Sequence, residues 1–261
     1  MSNNPIAVFD SGIGSLSVIK ELRRELTHEN IIYLADKEHF PYGTKSRNEL
    51  TKIIRNTIKY LEVFNPKIII IASNTPSIQI LEEVKFCTKV PLIGVIPPFK
   101  QAVRMTRSKH IGIMATQSTI RSLELDYQIK SQIPQDIHVT KINSSGLIKL
   151  IESGVHLSDE KATINSIIQV VNVPHDIDVI TLSSTHLPMI KDYLVKLFPT
   201  VRFIDPAKNI VKETRILLKY HRNLRKKGNG KIQVMVTRDK DCFQKIMRRM
   251  GYTERVTIVS I

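Results

Sequence analysis

The feature that most constrains this chain is the run Ile68-Ile69-Ile70-Ile71. Consecutive β-branched residues lose rotamer freedom in a helix and pack well on a pleated surface. An unbroken apolar strand also needs cover on both faces, which points to a mostly parallel sheet. The run, extended to Ala72, has eight companions at residues 6–9, 31–34, 91–96, 111–115, 137–142, 177–182, 201–204 and 232–236. Most of them are continuous rather than alternating. Between them lie stripes at helical spacing, such as Leu16, Ile19, Leu22 and Leu26, or Ile53, Ile54, Ile58 and Leu61. Strand and helix in alternation predict an α/β protein. Nine strands are generous for one sheet in 261 residues, so two lobes are expected, each a mostly parallel sheet flanked by helices. Pro97-Pro98 is the best internal break, because proline fits the first turn of a helix and not its interior.

Composition removes several classes. With 42% hydrophobic and 24% charged residues, the chain has ample material for a core and is not a disordered segment. No apolar stretch approaches the ~20 residues of a membrane helix, and the first residues lack the basic start and apolar run of a secretory signal. Cys87 and Cys242 are too few for a disulfide framework or a zinc cluster. The expected location is therefore the cytoplasm, without a membrane partner. Cys242 stands beside Phe243 and near Ile246, and both cysteines read as packing residues.

The chain carries 39 Lys+Arg against 24 Asp+Glu, a net charge of +15. The density is greatest at Lys219, His221, Arg222, Arg225, Lys226, Lys227 and Lys231. A solvated basic face and a nucleic-acid contact are both open readings. No zinc-finger spacing or RNP-like strand supports the second, and aromatics are only 6% with no tryptophan, so stacking platforms are scarce.

In open α/β sheets, ligands bind beyond the carboxyl ends of the strands. Four strands end in small polar groups: Asp10-Ser11-Gly12, Ser73-Asn74-Thr75, Thr116 to Thr119, and Ser183-Ser184-Thr185-His186. Helix N-termini there suit a carboxylate or phosphate. Helix capping asks for the same residue types. Gly12-Ile13-Gly14 falls short of a dinucleotide fingerprint, because Ser17 occupies the third glycine position and only Asp36 could serve as the acidic residue after the second strand. No Gly-Lys-Ser/Thr occurs, and no histidine pair has metal-ligand spacing. Neither a cofactor nor a metal is expected.

Taken together, the residues resemble the glutamate racemase family, within the aspartate/glutamate racemase superfamily. The resemblance rests on Phe9-Asp10-Ser11-Gly12-Ile13-Gly14, Asp36 followed by Pro41-Tyr42-Gly43, Ser73-Asn74-Thr75, Ala115-Thr116 with Thr119, Glu152 before Gly154, Thr185-His186 with Pro188, and late Thr237 and Asp239. It implies two α/β lobes related by a pseudo-twofold axis, residues 1–97 with 207–261 and residues 98–206, with the site between them. It also implies cofactor-independent interconversion of L- and D-glutamate, a small dicarboxylate amino acid as ligand, and a homodimer. Asp10, Ser11, Pro41, Tyr42, Gly43, Asn74, Thr75, Thr116, Thr119, Thr185 and His186 would hold the amino acid. Glu152 would stand behind His186, and Asp10 near the first base.

That chemistry uses two cysteines, one before Asn-Thr and one before Thr-His. Both positions are serine here, Ser73 and Ser184. Pro76, Ser183 and Leu187 also depart from the family pattern, which reads as natural divergence. A thiol has a pKa near ~8.5, whereas an aliphatic hydroxyl lies close to water at about 15.7. The gap is about 10 kcal/mol at ~1.36 kcal/mol per unit. A helix N-terminus returns at most about 2 kcal/mol. Racemisation is therefore expected to be lost or strongly reduced. Two alternatives stay open: an enzyme using Asp10 or His186 as base, and an interaction protein whose basic surface meets nucleic acid or a gyrase-like partner.

Overall fold

The computed structural model describes residues 3–261. In chain order its strands and α-helices are β1 (Ile6–Asp10), α1 (Leu16–Glu25), β2 (Ile31–Ala35), α2 (Arg47–Glu62), β3 (Ile68–Ile71), α3 (Asn74–Gln79), α4 (Leu81–Val84) and β4 (Leu92–Gly94). Next come α5 (Phe99–Met105), β5 (His110–Ala115), α6 (Gln117–Ile120), α7 (Leu123–Gln132), β6 (His138–Asn143), α8 (Ser145–Glu152), α9 (Glu160–Val170), β7 (Val179–Ser183), α10 (Lys191–Leu197) and β8 (Arg202–Ile204). The chain ends with α11 (Ala207–Tyr220), β9 (Ile232–Val236), α12 (Lys240–Arg249) and β10 (Val256–Ile258). Two compact units result: the chain up to Val95 together with Ala207–Ile261, and Ile96–Pro206. Among the described residues, no helix is long and apolar enough to cross a membrane.

The first unit is a six-stranded sheet in the order β10-β9-β2-β1-β3-β4, with every pairing parallel. The isoleucine run lies beside β1, with Ile6 opposite Ile68 and Phe9 opposite Ile71. Its residues alternate between two covered faces. Ile69 and Ile71 join Leu50, Ile54, Ile58 and Leu61 of α2 in one core cluster. All four isoleucines are at most 1% exposed, and each contributes roughly 1.5–3 kcal/mol by leaving water. Helix α2 begins where a capping box forms: Glu49 N donates to Ser46 Oγ at 3.4 Å, and Ser46 N to Glu49 Oε2 at 2.9 Å.

The second unit is a four-stranded parallel sheet in the order β6-β5-β7-β8. Its central strands β5 and β7 are buried throughout. As expected from Pro97-Pro98, α5 starts at Phe99 with Pro98 at its N-cap.

Three expectations are corrected. Among the described residues there are ten strands, not nine, because Val256–Ile258 adds an edge strand beside β9. Strand β6 is not covered on both faces: His138 and Asn143 are exposed and only Ile142 is buried, as its place at the sheet edge dictates. Neither cysteine is a packing residue, for both are exposed. Helix α12 buries Phe243, Ile246 and Met247, and one residue before Phe243 the helix has already turned toward solvent.

Candidate functional site

In the first unit the carboxyl ends of neighbouring strands bring the expected residues together. Ala72 N donates to Phe9 O at 2.8 Å, so Asp10 and Ser73 follow directly from paired strand ends. Ser73, at the N-cap of α3, makes no side-chain capping bond. Its carbonyl is the tethered group, accepting from Ser77 Oγ at 2.6 Å. Ser77 Oγ also donates to Ile71 O at 3.0 Å and accepts from Val95 N at 2.9 Å. Asn74 donates through Nδ2 to Val95 O at 3.1 Å. Its Oδ1 is buried and has no partner among the described residues, leaving an acceptor at the sheet edge. Asp10 is 1% exposed and accepts from Ser11 N at 2.7 Å.

Asp36 was not among the residues expected to hold a ligand, although the chain places it just after β2. It is fully buried. Its carboxylate accepts from Tyr42 OH at 3.0 Å, His39 Nδ1 at 2.8 Å and Thr237 Oγ1 at 3.3 Å. It fixes Tyr42 and the segment carrying Pro41 and Gly43, and it is not the ribose-binding acid of a dinucleotide site. Burial, then the charges of Asp36 and Asp10, push the Tyr42 phenol well above its ordinary pKa. The signal in the sequence was an acidic residue ending a buried strand just ahead of a tyrosine.

In the second unit, β5 and β7 lie side by side with Ala115 opposite Ser183, so Thr116 and Ser184 leave the sheet at adjacent strand ends. Thr116 is a helix cap: its Oγ1 accepts from Thr119 N at 3.4 Å and lies 3.0 Å from Thr119 Oγ1. Ser183 Oγ is 3.0 Å from Thr181 Oγ1. Ser184 and Thr185 are buried, and the chain then enters a 3-10 turn at Leu187–Ile190. His186 Nε2 is 2.8 Å from Glu152 Oε2, with both side chains 6% exposed. Glu152 is the last residue of α8, so the helix end delivers a carboxylate to the imidazole. His156, which the sequence did not single out, is buried with both ring nitrogens unpartnered among the described residues. Burial holds its pKa below the ordinary value, and the nearby His186 acts in the same direction.

Ser73 and Ser184 share one limitation. Among the described residues of its own unit, neither hydroxyl donates a hydrogen bond to a carboxylate or an imidazole. A serine without such a partner is neither an activated nucleophile nor a base. Among the described residues, no group of three or more His, Cys, Asp or Glu is arranged to hold a metal ion.

No family model matches the chain. Glutamate racemase isoform RacE1 from Bacillus anthracis superposes with a TM-score of 0.89 at 28% identity, over 99% of this chain and 98% of that one. Glutamate racemase from Francisella tularensis, solved in complex with D-glutamate, gives 0.83 at 30% identity, over 100% and 98%. Fold and strand-end residues therefore define an α/β protein of the amino-acid racemase class. A glutamate racemase from Shewanella sp. (strain MR-7) is 33% identical over 219 residues, 83% of this chain and 80% of the relative. The chain belongs to the glutamate racemase family.

Proposed function

We propose that this chain binds a small dicarboxylic amino acid, glutamate or aspartate, and that its ability to invert Cα is lost or strongly reduced. The reading rests on Ser73 and Ser184, which follow β3 and β7 at the two positions where the resemblance implies the family's cysteines. Each is buried, and neither has a base on its hydroxyl among the described residues of its own unit. The deficit of about 10 kcal/mol between alcohol and thiol acidity stands without local compensation.

Binding is supported independently. Asn74 Oδ1 is a buried acceptor without a partner among the described residues, suited to a substrate ammonium group. A buried polar atom left unmatched costs about 1–3 kcal/mol, so a ligand that matches it gains that much. Asp10, Ser11, Pro41, Tyr42, Gly43 and Thr75 complete the set from the first unit. The second unit offers Thr116, Thr119, Thr185 and His186, with Glu152 orienting His186 at 2.8 Å.

The test is a chiral assay in deuterated water, run beside calorimetry. D- or L-glutamate at millimolar concentration should give a binding isotherm. The unmodified protein should place no deuterium on Cα over days, and Ser73→Cys/Ser184→Cys should gain racemisation. Rapid interconversion by the unmodified chain would falsify the acidity argument. A second reading rests on His186, held by Glu152 at 2.8 Å and able to act as a base. It requires slow deuterium exchange in the unmodified protein that disappears in His186→Gln.

A further inference from the structure

Residues 207–231 contain nine Lys or Arg and one acidic residue, Glu213. This tenth of the chain therefore holds +8 of the total +15. The amino-acid site makes no use of it. The structure divides these cations into two groups. Arg215 is tied down, its Nη2 reaching Glu25 O at 2.6 Å and Glu25 Oε2 at 3.1 Å. Arg225 is half-buried, with its backbone N on Glu29 Oε1 at 2.8 Å and its Nη1 on Asn30 Oδ1 at 3.1 Å. Arg225 therefore belongs to the scaffold, although the sequence grouped it with the surface cations. Lys208, Lys212, Lys219, Arg222, Lys226 and Lys227 are all exposed, and none forms an ion pair among the described residues.

The second group is ordered by the helix. Helix α11 buries Ala207, Ile210, Val211, Thr214 and Leu218. At about 100° per residue, Lys208, Lys212 and Lys219 fall within about 40° of one another on the outer face. They form one ridge about 16 Å long at 1.5 Å per residue. Beside that ridge stand Ile216 at 57% and Tyr220 at 80% exposure. The Tyr220 ring meets His221 edge-on at 5.1 Å. The loop that follows is anchored: Lys67 Nζ pairs with Glu29 in the interior and donates to Asn223 O at 3.0 Å. Arg222, Lys226 and Lys227 thus continue the ridge from a held loop.

Ordinary solvated helix faces interleave lysine with acids; this face has a single Glu213. A phosphodiester strand carries one charge per nucleotide, so such a ridge meets several phosphates and releases their counterions. An exposed tyrosine at its end offers a stacking surface to any base. An interfacial membrane helix needs a broad apolar face, and here Ile216 and Tyr220 share theirs with Asn209 and Glu213. We propose that the outer face of α11, with the loop after it, binds single-stranded nucleic acid through its phosphates, with Tyr220 stacking on a base. This is a second binding function, independent of the amino-acid site.

The experiment titrates the full chain into a fluorescent mixed-sequence 30-nucleotide single strand, as DNA and as RNA, at 50 and 200 mM salt. Four phosphate contacts to a single strand predict about a 50-fold loss of affinity across that range. Lys208→Gln/Lys212→Gln/Lys219→Gln should weaken binding at least tenfold at 50 mM salt, and Tyr220→Ala should weaken it several-fold. A charge-matched control in the other unit, Lys130→Gln/Lys149→Gln/Lys161→Gln, should change it less than twofold. Equal loss in the control would reduce the effect to bulk charge and overturn the proposal. So would absence of binding at 50 mM salt, or binding to phosphatidylserine vesicles without binding to the oligonucleotide.

Discussion

The two units end their strands in similar residues yet support them differently. In the first, Ser73 and Asp10 sit on a frame of hydroxyl and backbone bonds, with one fully buried carboxylate, Asp36, gathering three donors. In the second, an imidazole–carboxylate pair, Glu152 with His186, follows the Ser184 end, and His156 is buried with no ring partner among the described residues. The first edge includes Tyr42, whose phenol burial pushes up; the second includes His156, whose imidazole burial pushes down. Similar outlines can therefore carry opposite sensitivities to pH.

The contrast breaks most sharply at a buried ion pair of the first unit. Lys67 and Glu29 form that pair with both side chains 1% exposed. Lys67→Ala leaves a buried carboxylate without its counter-charge and should cost about 3–5 kcal/mol, read from chemical denaturation. Asp36→Ala strands three donors at one point and should cost about 3 kcal/mol, with Tyr42 losing protection in hydrogen exchange. Proton linkage sharpens the comparison. The folded pKa of His156 is below its ordinary 6.5, so the unfolded chain binds more protons as pH falls below that value. Stability of the second unit should fall with pH below about 6.5, and His156→Leu should flatten the slope. Tyr42 has a raised folded pKa, so its contribution is intact below the ordinary 10.0 and is lost as pH rises beyond it. Alkaline loss should therefore register in the first unit, and Tyr42→Phe should remove it. A smaller effect is expected for Thr116→Ala, about 1 kcal/mol for a lost helix cap. Cys242→Ser, at an exposed site, should stay within about 0.5 kcal/mol.

Much of this was legible in the residues. Apolar runs such as 68–71 are strands because nothing else buries four β-branched side chains in a row. Polar groups after the strands are where parallel sheets present them. The misses have physical causes. Val256-Thr257-Ile258 is a three-residue edge strand with two exposed positions, so it has neither length nor an apolar run. His138–Asn143 reads like its neighbours, but being at an edge is a property of the sheet and not of the segment. Cys242 shows that a residue about 100° around a helix from a buried neighbour, Phe243, can already face solvent. The Asp36 hub and the Glu29–Lys67 pair join residues far apart in the chain, and no local pattern announces such partners.

Strand β9 has a consequence for synthesis. It is the partner of β2, lying between β2 and β10, yet it is made about two hundred residues later. During translation the β2 edge waits, with its amide groups unmatched, while the whole of Ile96–Pro206, contiguous in sequence, can already assemble. The nascent chain thus completes its later-begun half first, and a ribosome stalled before Val236 holds a molecule with one finished body and one open sheet.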